Sequence, residues 1–342
     1  MFVVAALSSL GDVTTAILAQ LLMFAGLLVM GLMSPSYGAM MVFLFVASLG
    51  QHTFMPLNDS IAISLSEEGN VGKTLGKLKG YTTAVYLLAA LAVFFGFKTG
   101  VFSFKTKTIV PFVISFISAA FAALFLIRMK KYMPPVSQRK EDKHKLVLRK
   151  EYTPYYLVTL AYGCQKRMKL VFGPWVIADL LAQGADTLAL LSIATHFAGM
   201  IMAPAIGRML DRYGAKRTLV AEGVYILVSF SVMGYLAGGF ADGRFAAGSP
   251  VMYAAFVVFI ICNLFEQFTT AHAYLMRSIA LDKSDITATL SVGLSVDHVI
   301  AIVSSAIFGI IWSYFGAQYV FYICAASAVA QIIAARAIKS RS

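Results

Sequence analysis

Gly207 to Arg217 read GRMLDRYGAKR, a hydrophilic run set between two long apolar segments. Apolar segments are interrupted by four Lys/Arg and an Asp only where the chain emerges into water, because ionisable groups are costly inside a bilayer. The order is specific: Gly207, three residues, Asp211 and Arg212, one residue, Gly214, one residue, then Lys216 and Arg217. Such an order suits a tight turn between helices. Gly207 allows close helix approach, Asp211 can cap a helix N-terminus and pair with a cation, and Gly214 can supply the turn conformation.

The rest of the chain agrees with a membrane setting. Of 342 residues, 59% are hydrophobic and only 13% charged, with a mean hydropathy of +0.79; soluble domains carry about 25% charged residues. A soluble protein of this balance could not cover its surface with polar groups. Apolar runs of roughly 20 residues, the length that crosses a bilayer as a helix, fall near 10–32, 38–63, 80–97, 108–128, 154–180, 187–207, 218–239, 250–275, 289–315 and 318–337. The expectation is an all-α, polytopic membrane protein with about ten transmembrane helices.

The net charge of +12 invites a nucleic-acid reading, which its distribution opposes. If 207–217 is cytoplasmic, it shares that side with 64–79, 128–153, 276–288 and the C-terminal tail, and these five segments, 207–217 included, hold 21 of the 28 Lys/Arg. The opposite side holds Lys98, Lys105, Lys107 and Arg244, and the other three lie inside one span. This is the positive-inside asymmetry. It predicts a multi-pass protein of the cell membrane with cytoplasmic N- and C-termini, the lipid bilayer as its partner and no nucleic acid. Cys164, Cys262 and Cys324 fall on three different spans, as small apolar residues would.

The 207–217 run resembles the loop motif of the major facilitator superfamily, G-x-x-x-D-R-x-G-R-R/K. A second likeness is IIWSYFGAQYVFYI at 310–323, close to the family's junction of its last two helices. The resemblance implies two helical bundles related by an internal repeat, with transport of a small solute between them. The expected domains are a partial N-terminal bundle of four helices at 1–127, a cytoplasmic linker at 128–153 and a complete C-terminal bundle of six at 154–342. Ser60-Ile61-Ala62 and Ser278-Ile279-Ala280 fall at matching places in the two halves. On this register the chain lacks the family's first two helices, through a start codon placed too late, a shortened gene or a different ten-helix family. The motif residues Gly207, Asp211, Arg212, Gly214, Lys216 and Arg217 are expected to gate conformational change.

Polar residues inside the spans mark the candidate site. Tyr155, Thr159, Tyr162, Lys166 and Lys169 follow helical steps along 154–180, and Lys166 falls near the midplane. Gly163 and Gly173-Pro174 suggest a helix break there. Lys166 and Lys169 could attract a substrate anion, could be neutralised by Glu266 or Asp297, or could snorkel to an interface. Asn263, Glu266, Gln267 and Thr270 form a second face at i, i+3, i+4 and i+7. Asp297 and His298 sit beside a third face of Ser291, Ser295 and Ser305. Candidate substrate-binding residues are therefore Lys166, Lys169, Tyr162, Asn263 and Gln267, with Glu266, Asp297 and His298 as ion-coupling residues for a proton or sodium ion. Glu222 lies one turn from the cytoplasmic end of the span at 218–239; His52 and His196 read as structural.

No Walker loop, zincin motif, nucleophile elbow or metal-spaced Cys/His cluster occurs in the sequence. The expectation is therefore not an enzyme, with no cofactor and no metal. Two functions remain open. One is a secondary active transporter moving a small solute, of which an anion is one class, by ion coupling or uniport. The other is a truncated, non-transporting membrane protein acting as scaffold or partner subunit.

Overall fold

The structure, a computed structural model, describes residues 7, 10–32, 37–101, 109–132 and 148–338. Most of the 128–153 linker, Lys105 and Lys107, and both chain ends lie outside the described residues. The described chain is helical, with no strand among the described residues. Its elements are α1 (Asp12–Leu32), α2 (Tyr37–Ser64), α3 (Val71–Lys98), α4 (Val110–Met129), α5 (Thr153–Arg167), α6 (Ala185–Ala241), α7 (Pro250–Leu264), α8 (Thr269–Ile279), α9 (Asp285–Tyr314) and α10 (Ala317–Arg336).

Among the described residues, eight stretches are long and apolar enough to cross a membrane. The α6 stretch accounts for two spans, because its 57 residues are divided at Gly214, where φ is 75° and ψ 171°. Only glycine takes that conformation without a Cβ penalty, so the expected turn sits where the motif put it. The tenth span is α5 with its continuation to Leu180. The expected break at Gly173-Pro174 is absent; instead the helix runs on through π turns at Met168–Phe172 and Val176–Leu180. Proline removes one backbone donor and crowds the preceding turn, and a π turn absorbs both by widening the helix locally. Gly163 serves packing rather than flexibility. A Cβ there would stand 2.7 Å from the backbone oxygen of Asp297 on α9. A 3₁₀ turn at Phe265–Phe268 joins α7 to α8, which breaks the α-helical register predicted for Asn263 to Thr270.

The described chain divides into two compact units. The first holds the described parts of 1–67, 96–148 and 280–292. There α1 packs on α2 and α4 around Val13, Ala16, Leu57, Ile61 and Leu126. Asp12, the one charge of α1, accepts hydrogen bonds from the Ser60 and Thr287 hydroxyls, each at 2.7 Å. It thereby ties α1 to α2 and to the first turn of α9.

The second unit holds 68–95, 149–279 and the described part of 293–342. Its core is aromatic and aliphatic, with Phe172, Phe230, Phe265 and Phe321 almost fully buried. Within it α10 and α7 pack on α6, and α8 packs on both α6 and α5. All the site chemistry described next belongs to this unit.

Candidate functional site

The two carboxylates predicted on the second and third polar faces meet the lysines of α5 and its continuation. Lys166 Nζ lies 2.7 Å from Asp297 Oδ2, with the Asp297 side chain only 5% exposed. Lys169 forms an ion pair with Glu266 Oε2, and the other oxygen of Glu266 lies 3.4 Å from Lys79 Nζ. Lys79 comes from α3 and was not singled out by the sequence, which places it at the edge of a loop. Lys79 and Lys166 both fall within electrostatic reach of Lys169. Three lysines thus gather around two carboxylates. His298 Nδ1 stands 3.4 Å from the same Asp297 oxygen and 2.7 Å from the Leu294 carbonyl.

Neutral groups surround the ion pairs. Thr83 of α3 donates to Gln267 Oε1 at 3.2 Å. The Tyr86 ring lies 5.9 Å from the His196 ring. Asn263 turns back on its own helix and donates to the Phe259 carbonyl at 2.7 Å. Tyr162 packs against Phe265 and His272, and Arg167, off the stripe, donates to the Ala301 carbonyl. Of the three readings of Lys166 and Lys169, ion pairing is the geometry observed.

The motif makes a second contact with α3. The Asp211 carboxylate accepts hydrogen bonds from the backbone N–H groups of Gly72 and Lys73, each at 2.6 Å. Those N–H groups belong to the first turn of α3, where a helix has unsatisfied donors and a partial positive charge. Beside this cap the two helices touch at glycine. Any Cβ on Gly207 would collide with the Gly72 carbonyl, and one on Gly76 would stand 2.7 Å from Gly207 Cα. Arg212 is exposed, its guanidinium 5.2 Å from the Tyr213 ring centroid. Lys216 donates to the Ile338 carbonyl at 3.3 Å.

No protein-family model and no curated protein sequence matches this chain. Solved structures do. The E. coli fucose:proton symporter superposes with a TM-score of 0.76 at 12% identity, covering 98% of this chain and 86% of that one. The proton:xylose symporter gives 0.74 at 10% identity, covering 99% and 84%. The human organic anion transporter gives 0.70 at 10% identity, covering 98% and 79%. The chain has the major facilitator fold.

Within this fold, the structure brings Lys166, Lys169, Glu266, Asp297 and His298 into one region and leaves Asn263 bound to its own helix. Beyond Lys79, the sequence reading missed Thr83 and the glycines of α3. The spacing Gly72, Gly76, Gly80 was a usable signal, since small residues four apart let helix backbones approach. It also missed a buried pair: His272 Nε2 lies 3.5 Å from Glu222 Oε2, and Glu222 is fully buried.

Proposed function

We propose that this protein is a secondary active transporter of the major facilitator type whose cargo is a small anionic solute bound by the lysine cluster of the second unit. The observation that carries the reading is Glu266, held between Lys79 and Lys169. An internal carboxylate that occupies two lysines is the chemical stand-in for a carboxylate, phosphate or sulfate group of a solute. On arrival, such a group competes with Glu266 for Lys169 and Lys79, while Lys166 and Tyr162 line the approach and Gln267 offers a polar amide. A displaced carboxylate left in a low-dielectric site is costly as an ion. It then favours taking up a proton, which gives Glu266, Asp297 and His298 a role in ion coupling.

Two of the fold neighbours are proton symporters by name and a third is an organic anion transporter, which supports ion coupling and an anionic cargo as a pair. The positive-inside charge distribution supports a cell-membrane protein with cytoplasmic termini, and the repeat register supports bundles at 1–127 and 154–342 joined by a linker. Melting of the purified protein with a panel of small carboxylates, phosphates and sulfates, beside neutral sugars, tests the cargo class. At least one anion should raise the melting temperature, as any ligand selective for the native state does. The rise should vanish in Lys169→Ala and in Lys79→Ala. Stabilisation by neutral sugars alone, unaffected by either change, would overturn the reading.

A further inference from the structure

Away from the lysine cluster, the buried polar atoms of the second unit that stand without a hydrogen-bond partner include both carboxylate oxygens of Glu222, Nε2 of His272 and Nε2 of Gln331. These four converge from three helices. Glu222 lies in the second arm of α6, eight residues past Gly214, or about 12 Å along the helix. His272 comes from α8, with its side chain 12% exposed and its Nε2 3.5 Å from the carboxylate. Gln331 of α10 flanks the same carboxylate, and its own Oε1 accepts from Gln165 of α5 at 3.1 Å. Among the described residues, the titratable groups that face Glu222 are His272 and Tyr162. The Tyr162 ring closes over His272 edge to face, with centroids 5.1 Å apart. Close packing of Gly223 on Ile332 and Ala328 seals the α10 side.

A proton count follows from this geometry. A bare carboxylate with no exposure, no hydrogen bond and a neutral imidazole beside it would be an uncompensated buried charge, which apolar surroundings strongly disfavour. The closed pair must therefore hold one proton, and since His272 Nε2 makes no hydrogen bond to the carboxylate, as an ion pair would, the Glu222 carboxyl carries it. Glu266 and Asp297 differ, since each already has a lysine and needs no proton to be compensated.

We propose that Glu222 and His272 together form a proton-binding site, separate from the lysine cluster, that loads and unloads one proton as α8 and α10 move against α6. Its use in coupling rests on the transporter reading above. The proton passes between the pair and water, breaking and forming only an O–H or N–H bond, and it can leave only when the pair is opened to solvent. His272 follows Glu266 by six residues, and the 3₁₀ turn that bears Glu266 leads directly into α8. A solute that pulls Glu266 from its lysines therefore acts on the helix that carries His272.

Infrared difference spectra of the reconstituted protein, recorded without solute while pH is stepped from about 5 to about 8, test the site. The native protein should show the narrow, high-frequency C=O band of a buried carboxyl that changes with pH. The band should be lost in Glu222→Gln and kept in Glu266→Gln. In His272→Gln, which also guards against a misfolded Glu222→Gln, the pH at which it changes should move. An unchanged band in Glu222→Gln, an unmoved band in His272→Gln, or loss of the band only in Glu266→Gln would overturn the proposal. Solute-induced stabilisation is read separately in Lys169→Ala. Failure of the transporter reading then appears as an intact band without solute stabilisation, and failure of the proton site as stabilisation without the band.

Discussion

At the scale of single residues, the lysines are the clearest case of side chains whose meaning depends on their partners. Lys166 is 20% exposed and Asp297 5%, so removing one leaves the other largely buried and uncompensated. Breaking such a pair typically costs ~3–5 kcal/mol, and the partial exposure of Lys166 points to the lower end. Lys166→Ala should therefore lower the melting temperature in detergent, and Lys166→Ala with Asp297→Asn should recover most of the loss. A single mutant as stable as the parent would mean that the pair is not what holds Asp297. Gly214 makes a purely conformational counterpart. A Cβ there meets nothing within 4 Å, and φ is +75°, so the cost of a side chain is backbone strain alone. Gly214→Val should destabilise by about 1–2 kcal/mol, and Gly214→Asn by less because asparagine tolerates left-handed φ. Equal stability of the two variants would indicate that the turn relaxes.

Among elements, the contact of α6 with α3 joins a charged cap to a close helix crossing. Asp211 satisfies two backbone donors of α3 and meets the positive end of its dipole; such a charge is worth roughly 0.3–2 kcal/mol. Asp211→Asn keeps the shape but loses the charge. Hydrogen–deuterium exchange of the peptide over 70–76 should quicken by up to about tenfold, a factor that corresponds to ~1.4 kcal/mol, while exchange over 250–264 stays as it was. Unchanged exchange at 70–76 would reduce the motif to a topological marker. Gly76→Leu should go further, because a bulky side chain there forces the α3 backbone off Gly207. Both the Asp211 cap and the Lys79–Glu266 contact, one turn further along α3, should then be lost, seen as rapid exchange across the first turns of α3. Protection equal to the parent protein would mean that the two helices can separate without consequence.

Over the whole molecule, apolar side chains such as Phe45, Val85, Leu88 and Phe125 stand more than half exposed, as side chains facing lipid do. Sidedness is carried by charge rather than by fold. Reporter fusions after Lys150 and Ser342 should report the cytoplasm and a fusion after Ala241 the opposite side, in line with the placement of Lys and Arg. An external Ser342 would overturn the assigned register.

The sequence alone determined the membrane character, the positions of most spans and the turn at Gly214, because hydropathy and backbone permissiveness are local properties written into consecutive residues; it began the span of α3 at 80, where the helix begins at Val71. It also carried the major facilitator resemblance, through a motif eleven residues long. It narrowed Lys166 and Lys169 to a short set of partners without choosing among them. Tertiary structure made the choice. Lys79 and Glu266 are separated by 187 positions, and Gly72 and Asp211 by 139, distances over which periodicity says nothing about which helices adjoin. The π turns after Arg167 and the 3₁₀ turn at Phe265–Phe268 shift the facing of every later residue away from the 3.6-residue pattern. Glu222 and His272 looked unremarkable on separate helices for the same reason: a buried pair exists only once α6 and α8 are packed, and burial is a property of the packing.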